Sequence, residues 1–325
     1  TPPQPPRLPP QLLRPQLPVL CRTASLETAA NMASFGTDEV VLAFETFGEH
    51  IAMAVDSPGH HLLYEWLTGV PGESLTEPLE PPRGKWVICG YGRFGKAITH
   101  HLKRVGIEPV VVEATPLKTG CDDCIVGTGT EAHTLLEAGI EDAVGIVAGT
   151  DDDINNLSIV MTARELNPGL FTVLRQNRHA NELLFQHFRA NVTMQPFRIV
   201  AHEFLSLLIT PLLSRFFSLA RSRDDAWVDV LISRIAAVLE NTMPDVWDVE
   251  VSRSQTEAVW EAIRDGTSVP LQALLRNPAG RDETLACIPL LLKRGDTEIL
   301  MPEPDVLLQV GDRLLFCGER QARHL

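Results

Sequence analysis

Residues 85–95 read KWVICGYGRFG, an apolar run that leads directly into glycines with the spacing GxGxxG. The run KWVIC has the continuous hydrophobicity of a strand that is buried on both faces of a parallel sheet. Gly90 and Gly92 permit a tight turn and a close approach of a pyrophosphate, and Gly95 lets the following helix pack on the strand. Phosphate charge would lie at the N-terminus of that helix, where free N–H groups and the helix dipole favour an anion. The stretch therefore predicts a Rossmann-type nucleotide site.

The next strand, PVVVE, ends in Glu113, which is placed to accept hydrogen bonds from ribose hydroxyls. A carboxylate at this position disfavours a 2′-phosphate because the two groups repel each other. The competing interpretation is a glycine turn that packs helix on strand and binds nothing. Strand, turn, helix and acidic residue are all in register, and this combination favours nucleotide binding.

Strands and helices alternate along the chain after residue 84. The strands are continuous apolar runs rich in Val and Ile, as buried parallel strands are. This alternation predicts an α/β fold with a doubly wound parallel Rossmann-like sheet. Beyond 85–89, we predict strands at 108–112, 143–148 and 171–174, and helices at 94–105, 131–138 and 154–166.

Composition limits the partners and the compartment. The formal net charge is −14, whereas nucleic-acid binding proteins usually carry a basic face, so we expect no nucleic-acid partner. The most apolar stretch, residues 204–217, is broken by polar residues, and no window approaches the ~18 apolar residues of a membrane span. The N-terminus lacks the basic-then-apolar pattern of a signal peptide. Six scattered cysteines are consistent with a reducing cytoplasm.

The part of the chain before the glycine turn divides into three segments. Residues 1–14 hold six prolines and predict a disordered lead-in. Residues 15–66 predict a strand at 18–22, a helix at 26–34, a strand at 39–43 and a helix at 44–55 that ends before Pro58. Residues 67–84 concentrate Pro, Gly and Glu and predict a linker.

A weak internal repeat relates residues 15–58 to residues 168–211. A shift of 153 positions (168 − 15) aligns the two segments without a gap and gives six identities in 44 positions. Two similar α/β segments can produce six identities by chance, but the predicted strands and helices coincide as well. Residues 15–66 therefore resemble the closing half of a domain, and we expect the chain to be a fragment of a longer protein with two tandem copies.

The run GYGRFG, then VVVEATP, then VGTGTEAHTLLEAGIEDAVGIVAGTDDDINNLSIVMTARELNP, then VLR, resembles the RCK family of cytoplasmic regulators of potassium conductance, also called the Trk N-terminal domain. The resemblance covers residues 84–211. It implies a nucleotide, NAD or ADP or ATP, that acts as an effector. The family pattern assigns its binding to Gly90, Tyr91, Gly92, Arg93, Phe94, Gly95, Glu113, Thr128, Thr150, Asp151 and Arg175.

One loop departs from the family pattern. The family usually reads GDAT after the third strand, whereas residues 127–130 read GTGT, so that Thr128 replaces a carboxylate near the adenosine. This departure leaves the choice among NAD, ADP and ATP open. A plain surface salt bridge is an equal alternative for Arg175.

The resemblance also implies a domain organisation and an assembly. Residues 85–220 would form the nucleotide-binding lobe with a crossover helix that is interrupted at Pro211, and residues 221–325 the smaller α+β C-terminal domain. Within the latter, we expect a strand at 246–251 and a helix at 256–263. The apolar excess of the crossover helix predicts at least a dimer. The family precedent is a gating ring at the inner face of the membrane, beneath a potassium-channel pore.

Other functions stay as alternatives. A regulatory subunit of a Trk- or Ktr-type uptake system is the nearest one, and an NAD-dependent oxidoreductase is the alternative of another class. Residues 225–325 hold a single histidine, His324, and the chain has no GxSxG, HExxH or P-loop pattern, so we expect no enzyme. Cys121 and Cys124 have metal-ligand spacing, but no second pair of cysteines or histidines accompanies them. Glu49-His50 and His202-Glu203 occupy equivalent positions of the repeat, and a divalent-ion or proton sensor at these positions is an alternative to exposed helix polarity.

Overall fold

A computed structural model describes residues 19–23, 25–75, 79–277 and 280–324. The predicted lead-in at 1–14 lies outside these residues. The strands, in chain order, are β1 (Leu20–Arg22), β2 (Glu39–Val41), β3 (Trp86–Cys89), β4 (Val110–Glu113), β5 (Ile125–Val126), β6 (Gly145–Ala148), β7 (Phe171–Arg175), β8 (Val192–Met194), β9 (Asp245–Glu250), β10 (Arg276–Asn277), β11 (Gly280–Thr284), β12 (Cys287–Arg294), β13 (Thr297–Leu300) and β14 (Arg313–Gly318).

Helices connect most of these strands. They are α1 (Leu26–Ser34), α2 (Ala43–Asp56), α3 (Pro58–Thr68), α4 (Arg93–Arg104), α5 (Pro116–Thr119), α6 (Ala132–Glu137), α7 (Asp153–Leu166), α8 (Glu182–Phe188), α9 (Pro196–Ile209), α10 (Pro211–Ala220), α11 (Asp225–Leu239), α12 (Glu257–Arg264) and α13 (Arg320–His324). None of the helices in the described ranges combines the length and the hydropathy that a membrane span requires.

The chain divides into two compact units that are discontinuous in sequence. The first unit comprises the described residues up to Asp56 together with Glu80–Phe204, and the second comprises the described residues within Ser57–Leu79 and Leu205–Leu325. The division does not follow the linear boundaries predicted at residues 66 and 220. Residues 57–66 and 205–220 group with the C-terminal part, because Leu63, Leu212 and Phe216 are buried in its core.

A six-stranded sheet forms the centre of the first unit. Its order is β5-β4-β3-β6-β7-β8, and every neighbouring pair is parallel. This is the Rossmann order 3-2-1-4-5-6, in which the chain reverses direction across the sheet between β3 and β6. The strands β3 and β6 are buried over their whole length, as the apolar runs predicted. The predicted α/β fold with a doubly wound Rossmann-like sheet is therefore confirmed.

Helix α4 follows the glycine turn and packs by its apolar face. Phe94, Ile98 and Leu102 on this face are fully buried. Helix α2 packs along α4, where the Phe47 ring lies 5.7 Å from that of Phe94. Gly48 permits this approach, since an added Cβ would lie 3.1 Å from the carbonyl oxygen of Ala97 in α4. The early segment thus depends on α4 for its packing.

The early segment repeats a later one in both length and register. A shift of 153 positions (192 − 39) carries β2 onto β8, and the same shift carries α2 onto α9, residue for residue. Strands β1 and β2 are parallel and pair Cys21 with Val40, while β7 and β8 pair Leu174 with Thr193 under the same shift. The two segments therefore share one element order and one strand register.

The second unit contains a four-stranded antiparallel sheet in the order β13-β12-β14-β9. One face of this sheet, with Leu290 and Leu315, contributes to the core that also contains residues of α3, α10 and α11. The other face, with Leu292 and Leu314, belongs to a separate cluster. The C-terminal region is thus α+β, as predicted.

The two longest of the helices that were not predicted are α11 and α3. Helix α11 spans 15 residues and α3 spans 11. Pro58 was interpreted only as the end of the preceding helix, but proline is also well tolerated in the first turn of a new helix. Helix α10 begins at Pro211 in the same way, which confirms the predicted interruption. Most of the other predicted boundaries agree with the structure to within about two residues.

Candidate functional site

A cleft of about 390 Å³ opens at the carboxyl ends of β3, β4 and β6. Ligands of open parallel sheets bind at this edge, where the strand order reverses. The cleft is built from the glycine turn after β3, the end of β4, the loop after β5 and the loop after β6. Its predicted members are Gly90, Gly92, Glu113, Thr128, Thr150 and Asp151.

The three glycines of the turn have different roles. Gly90 has φ +98°, and an added Cβ would lie 3.4 Å from the backbone of Gly149 and Thr150. Gly95 packs tightly, because its Cβ would lie 1.9 Å from the carbonyl oxygen of Gly90. Gly92 faces open space, with no atom within 4 Å of the Cβ position. Only Gly92 therefore leaves room for a ligand at the N-terminus of α4.

The N-terminus of α4 is suited to an anion. Gly92 is the N-cap residue and provides no side-chain hydrogen bond to the first turn of the helix. The N–H groups at the start of a helix have no intrahelical partner, and the helix dipole adds partial positive charge there. This end of α4 borders the cleft, so it can donate to phosphate oxygens.

The carboxylate of Glu113 lies between the turn and the cleft. It is 7% exposed. Its Oε2 accepts a hydrogen bond from the backbone N–H of Tyr91 at 2.6 Å, and its Oε1 accepts from the N–H of Thr115 at 2.7 Å. The Thr115 hydroxyl also donates to Oε1 at 3.1 Å. Glu113 thus ties the glycine turn to the end of β4. Each carboxylate oxygen can accept more than one hydrogen bond, so ribose hydroxyls can still donate to it.

The loop after β6 is held by a side chain that the sequence analysis did not single out. The Asn156 Oδ1 accepts from the Thr150 N–H at 2.8 Å and from its hydroxyl at 2.6 Å. The Nδ2 group of Asn156 donates to the carbonyl oxygens of Thr150 and Arg175. Asn156 is fully buried, so this network fixes Thr150 at the cleft. The signal was the run DDDINN, in which polar residues enter the predicted helix.

The loop after β5 lines the cleft with residues 127–130. Gly129 approaches β3 closely, because an added Cβ would lie 2.5 Å from the Cys89 sulfur. The Thr130 hydroxyl donates to the Thr128 hydroxyl at 3.1 Å. This stretch, Gly127–Thr130, is the one that departs from the family pattern, and it presents hydroxyl groups in place of a carboxylate.

Five predicted site residues do not line the cleft. Phe94 is buried in the core, Gly95 packs on the turn, and Tyr91 contributes its backbone N–H to Glu113. Arg93 and Arg175 line a different cavity.

The Arg175 guanidinium contacts the neighbouring loop. Its Nη1 donates to the Gly149 carbonyl oxygen at 3.3 Å and pairs with the Asp151 carboxylate at 2.8 Å. Burial lowers the pKa of the guanidinium, and the nearby Arg93 lowers it further, whereas Asp151 raises it. The salt bridge is thus present, and it joins Asp151, which lines the cleft, to Arg175, which does not.

A metal centre has no support among the residues that the structure describes, since none of their His, Cys, Asp and Glu side chains gather in a group of three or more. Cys121 and Cys124 lie in one loop, where the Cys124 thiol donates to the carbonyl oxygen of Cys121. Burial, followed by the hydrogen bond with Cys124, raises the pKa of Cys121 to about 12.

Residues 86–196 match the TrkA-N domain family, and this segment contains the glycine turn, Glu113 and both later loops. This segment of the chain is thus a TrkA-N domain. The chain is similar to "Potassium channel protein 1" of Methanocaldococcus jannaschii, with 25% identity over 244 residues. The match covers 73% of this chain and 63% of the archaeal protein, which is less than two thirds of its length.

Two further relatives have related names. "Probable potassium channel protein 2" of the same organism is 26% identical over 261 residues, which cover 77% of this chain and 67% of that protein. A "Trk system potassium uptake protein TrkA homolog" of Pyrococcus horikoshii is 25% identical over 136 residues, or 38% of this chain and 60% of that protein. Among solved structures, the GsuK RCK domain aligns with 95% of this chain and 74% of its own, at 18% identity and a TM-score of 0.49.

Proposed function

We propose that this chain is the regulatory RCK module of a potassium channel and that it senses an adenine nucleotide, NAD or ADP or ATP, in the cleft. Nucleotide binding is proposed from two features of the cleft. The N-terminus of α4 beside Gly92 has no side-chain cap, and the Glu113 carboxylate is buried next to it. Potassium conductance is proposed from the names of the archaeal relatives.

The cleft suggests one orientation of the nucleotide. The phosphates would lie over Gly92 and receive N–H groups from the first turn of α4. The ribose hydroxyls would donate to Glu113, and the adenine would extend towards Thr128 and Thr130. Glu113 would disfavour a 2′-phosphate by charge repulsion, so NAD should bind more tightly than NADP.

The nucleotide would act as an effector and not as a substrate. Proton transfer in a dehydrogenase requires a donor beside the reacting group. The cleft lining contains Glu113 and Asp151 as its titratable carboxylates, and Glu113 is engaged by backbone donors. Binding without turnover supports the sensor, whereas turnover of a hydroxy or keto substrate with NAD would support the oxidoreductase.

Assembly would convert binding into gating. Leu205 and Leu208 of α9 are each 56% exposed, and together they present an apolar surface to which a second copy of the chain could bind. Segment 15–66 would be the closing half of a first lobe in a tandem arrangement. A nucleotide that binds one arrangement of the lobes better than another would shift their populations at the cytoplasmic face of the pore. A regulatory subunit of a Trk-type system is the alternative, since the Pyrococcus relative carries that name.

The test of the site is Gly92→Asp. No atom lies within 4 Å of the Cβ position, and aspartate is a favourable N-cap residue, so the variant should fold. Its negative charge would occupy the phosphate position and should abolish binding of NAD, ADP and ATP in titration calorimetry. Gly92→Asn is the matched control, because it has the same size without the charge and should bind more tightly than Gly92→Asp. Equal affinity of wild type and Gly92→Asp would refute the site.

A further inference from the structure

Two cysteines of the first unit lie close to the nucleotide cleft and have no part in the proposed nucleotide binding. Cys121 and Cys124 enclose the sequence Cys-Asp-Asp-Cys in the loop between α5 and β5. Both are free thiols with partly exposed side chains, whereas Cys89 and Cys317 are buried. Two cysteines at this spacing close to a disulfide in redox-active dithiol motifs. The loop therefore contains two accessible thiols with the spacing of a redox pair.

The structure brings the two thiols together. The Cys124 thiol donates to the carbonyl oxygen of Cys121 at 3.5 Å, and the two thiols are close enough to form a hydrogen bond with each other. The N–H of Cys121 donates to the Pro116 carbonyl oxygen at 3.2 Å. On the other side of the pair, Ile125 lies in β5 and pairs with Val112 of β4. Both ends of the loop are thus held, and disulfide closure requires only a local approach of the sulfur atoms to about 2.05 Å.

The two thiols have different roles in such a reaction. Burial, followed by the hydrogen bond and then the charge of Cys124, raises the pKa of Cys121 to about 12. The nearby carboxylates of Glu113 and Asp122 raise this pKa further. The thiolate is the nucleophile in disulfide exchange, so Cys124 attacks first and Cys121 second. Once Cys124 is part of a mixed disulfide, its charge and its donated hydrogen bond are lost, and the pKa of Cys121 falls.

We propose that Cys121 and Cys124 are a redox-active dithiol, which reacts with a small-molecule disulfide and closes a reversible disulfide beside the nucleotide cleft. In the first step, the Cys124 thiolate attacks one sulfur of the small disulfide, R–S–S–R, and releases one RS⁻. In the second step, Cys121 loses its proton to water, attacks the Cys124 sulfur and releases the second RS⁻. The two protein thiols are oxidised, the small disulfide is reduced to two RSH, and the two cysteine protons end on the released thiolates.

The loop connects the redox pair to the lining of the cleft. Thr119 precedes Cys121 by two residues, Gly127 follows Cys124 by three, and both Thr119 and Gly127 line the cleft. The Gly127 N–H also donates to the carbonyl oxygen of Glu113 at 3.2 Å. Disulfide closure moves the two cysteines towards each other and changes the cleft described above, so oxidation should weaken nucleotide binding. The nucleotide should disfavour oxidation by the same factor, and this coupling, unlike the dithiol itself, rests on the proposed function.

The test of the dithiol is a count of free thiols in the full chain before and after incubation with cystamine. This cationic disulfide suits the pair, because Asp122 and Asp123 are exposed between the two cysteines. Alkylation under denaturing conditions and mass spectrometry should show a fall from six free thiols to four (6 − 2) in the wild type. Peptide mapping should place the new bond between Cys121 and Cys124, and dithiothreitol should restore all six thiols.

Cys121→Ser is the informative variant, since it keeps the attacking thiol and removes the second one. It should accumulate one cysteamine on Cys124 and form no internal disulfide. Cys21→Ser is the matched control, because Cys21 is also a partly exposed free thiol, and this variant should close the disulfide like the wild type. The inference is wrong if the wild type keeps six free thiols, if the bond forms between other cysteines, or if Cys121→Ser accumulates no adduct.

Titration calorimetry of the reduced and the oxidised chain with NAD, ADP and ATP measures the coupling to the cleft. The oxidised chain should bind its preferred nucleotide at least about fivefold more weakly. Equal affinities of the two forms would overturn the coupling. If neither form binds a nucleotide, the proposed function is wrong, whereas the thiol count decides the dithiol inference independently.

Discussion

Replacement of Glu113 by Gln tests whether one carboxylate both holds the glycine turn and selects the nucleotide. In the structure, the two oxygens accept two backbone N–H groups and one hydroxyl. Glutamine keeps one acceptor oxygen and replaces the other by an NH₂ donor. One backbone N–H, of Tyr91 or Thr115, would then face a donor instead of an acceptor.

The expected cost follows from these contacts. A hydrogen bond to a charged group contributes about 1.5–3 kcal/mol, and the loss of the charge weakens the bond that remains. We therefore expect Glu113→Gln to lower the free energy of unfolding by about 2–3 kcal/mol. Nucleotide affinity should fall as well, and any preference for NAD over NADP should narrow because the repulsion of the 2′-phosphate is removed.

Urea denaturation measures the first effect and titration calorimetry with NAD and NADP the second. Glu108→Gln is the matched control, since Glu108 is 77% exposed and pairs only with the half-exposed Lys103, so its loss should change stability by less than about 0.5 kcal/mol. If Glu113→Gln has the same free energy of unfolding as the wild type, the Glu113 carboxylate does not stabilise the glycine turn. NADP binding as tight as NAD binding in wild type would refute the role of Glu113 at the ribose.

Two further predictions concern stability and assembly. Burial lowers the pKa of His61 from 6.5 to about 4, so the unfolded chain binds more protons than the folded one between these values. The contribution of neutral His61 to the free energy of unfolding is complete above pH 6.5 and declines as the pH falls towards 4. From pH 7.5 to pH 5 the free energy of unfolding should therefore fall by about 2 kcal/mol. In urea titrations of His61→Leu, the free energy of unfolding should depend less steeply on pH. An identical pH dependence in the variant would rule out His61 as its source. The paired substitution Leu205→Glu and Leu208→Glu should give a folded monomer in light scattering, because both side chains are exposed in the single chain. If the wild-type chain is a monomer at micromolar concentration, the predicted assembly into a dimer or a gating ring is wrong.

Leu208 and Leu212 belong to the same apolar run of the sequence, but only Leu208 is exposed. Leu212 is 3% exposed and belongs to the core of the second unit of the same chain. The apolar run across Pro211 therefore has two roles, since the part after the proline is covered internally and the part before it includes the exposed pair. Hydropathy alone did not distinguish them, because a buried and an unpartnered apolar helix face have the same composition.

The sheet could be predicted because each buried strand appears in the sequence as an uninterrupted apolar run. The run at β3 is apolar throughout, and the glycine turn after it marks both the switch in strand order and the start of α4. The side-chain partners could not be predicted in this way. Gly92 and Arg93 are neighbours in the motif, yet Gly92 borders the nucleotide cleft and Arg93 borders the different cavity that Arg175 also lines. Which cavity each of these neighbouring residues borders depends on how α4 packs, and the spacing of the motif does not specify that packing.

The packing of α2 on α4 also has a consequence for the order in which the chain acquires structure during synthesis. A parallel pair of three-residue strands such as β1 and β2 is marginal by itself, and α2 buries Phe47 and Ile51 in this unit. The ribosome must add roughly fifty more residues before α4 is complete, which takes about 3–10 s at 5–20 residues per second. During that interval the apolar face of α2 is open to chaperones and to neighbouring nascent chains. The face of α2 that packs on α4 therefore becomes protected only after α4 is complete.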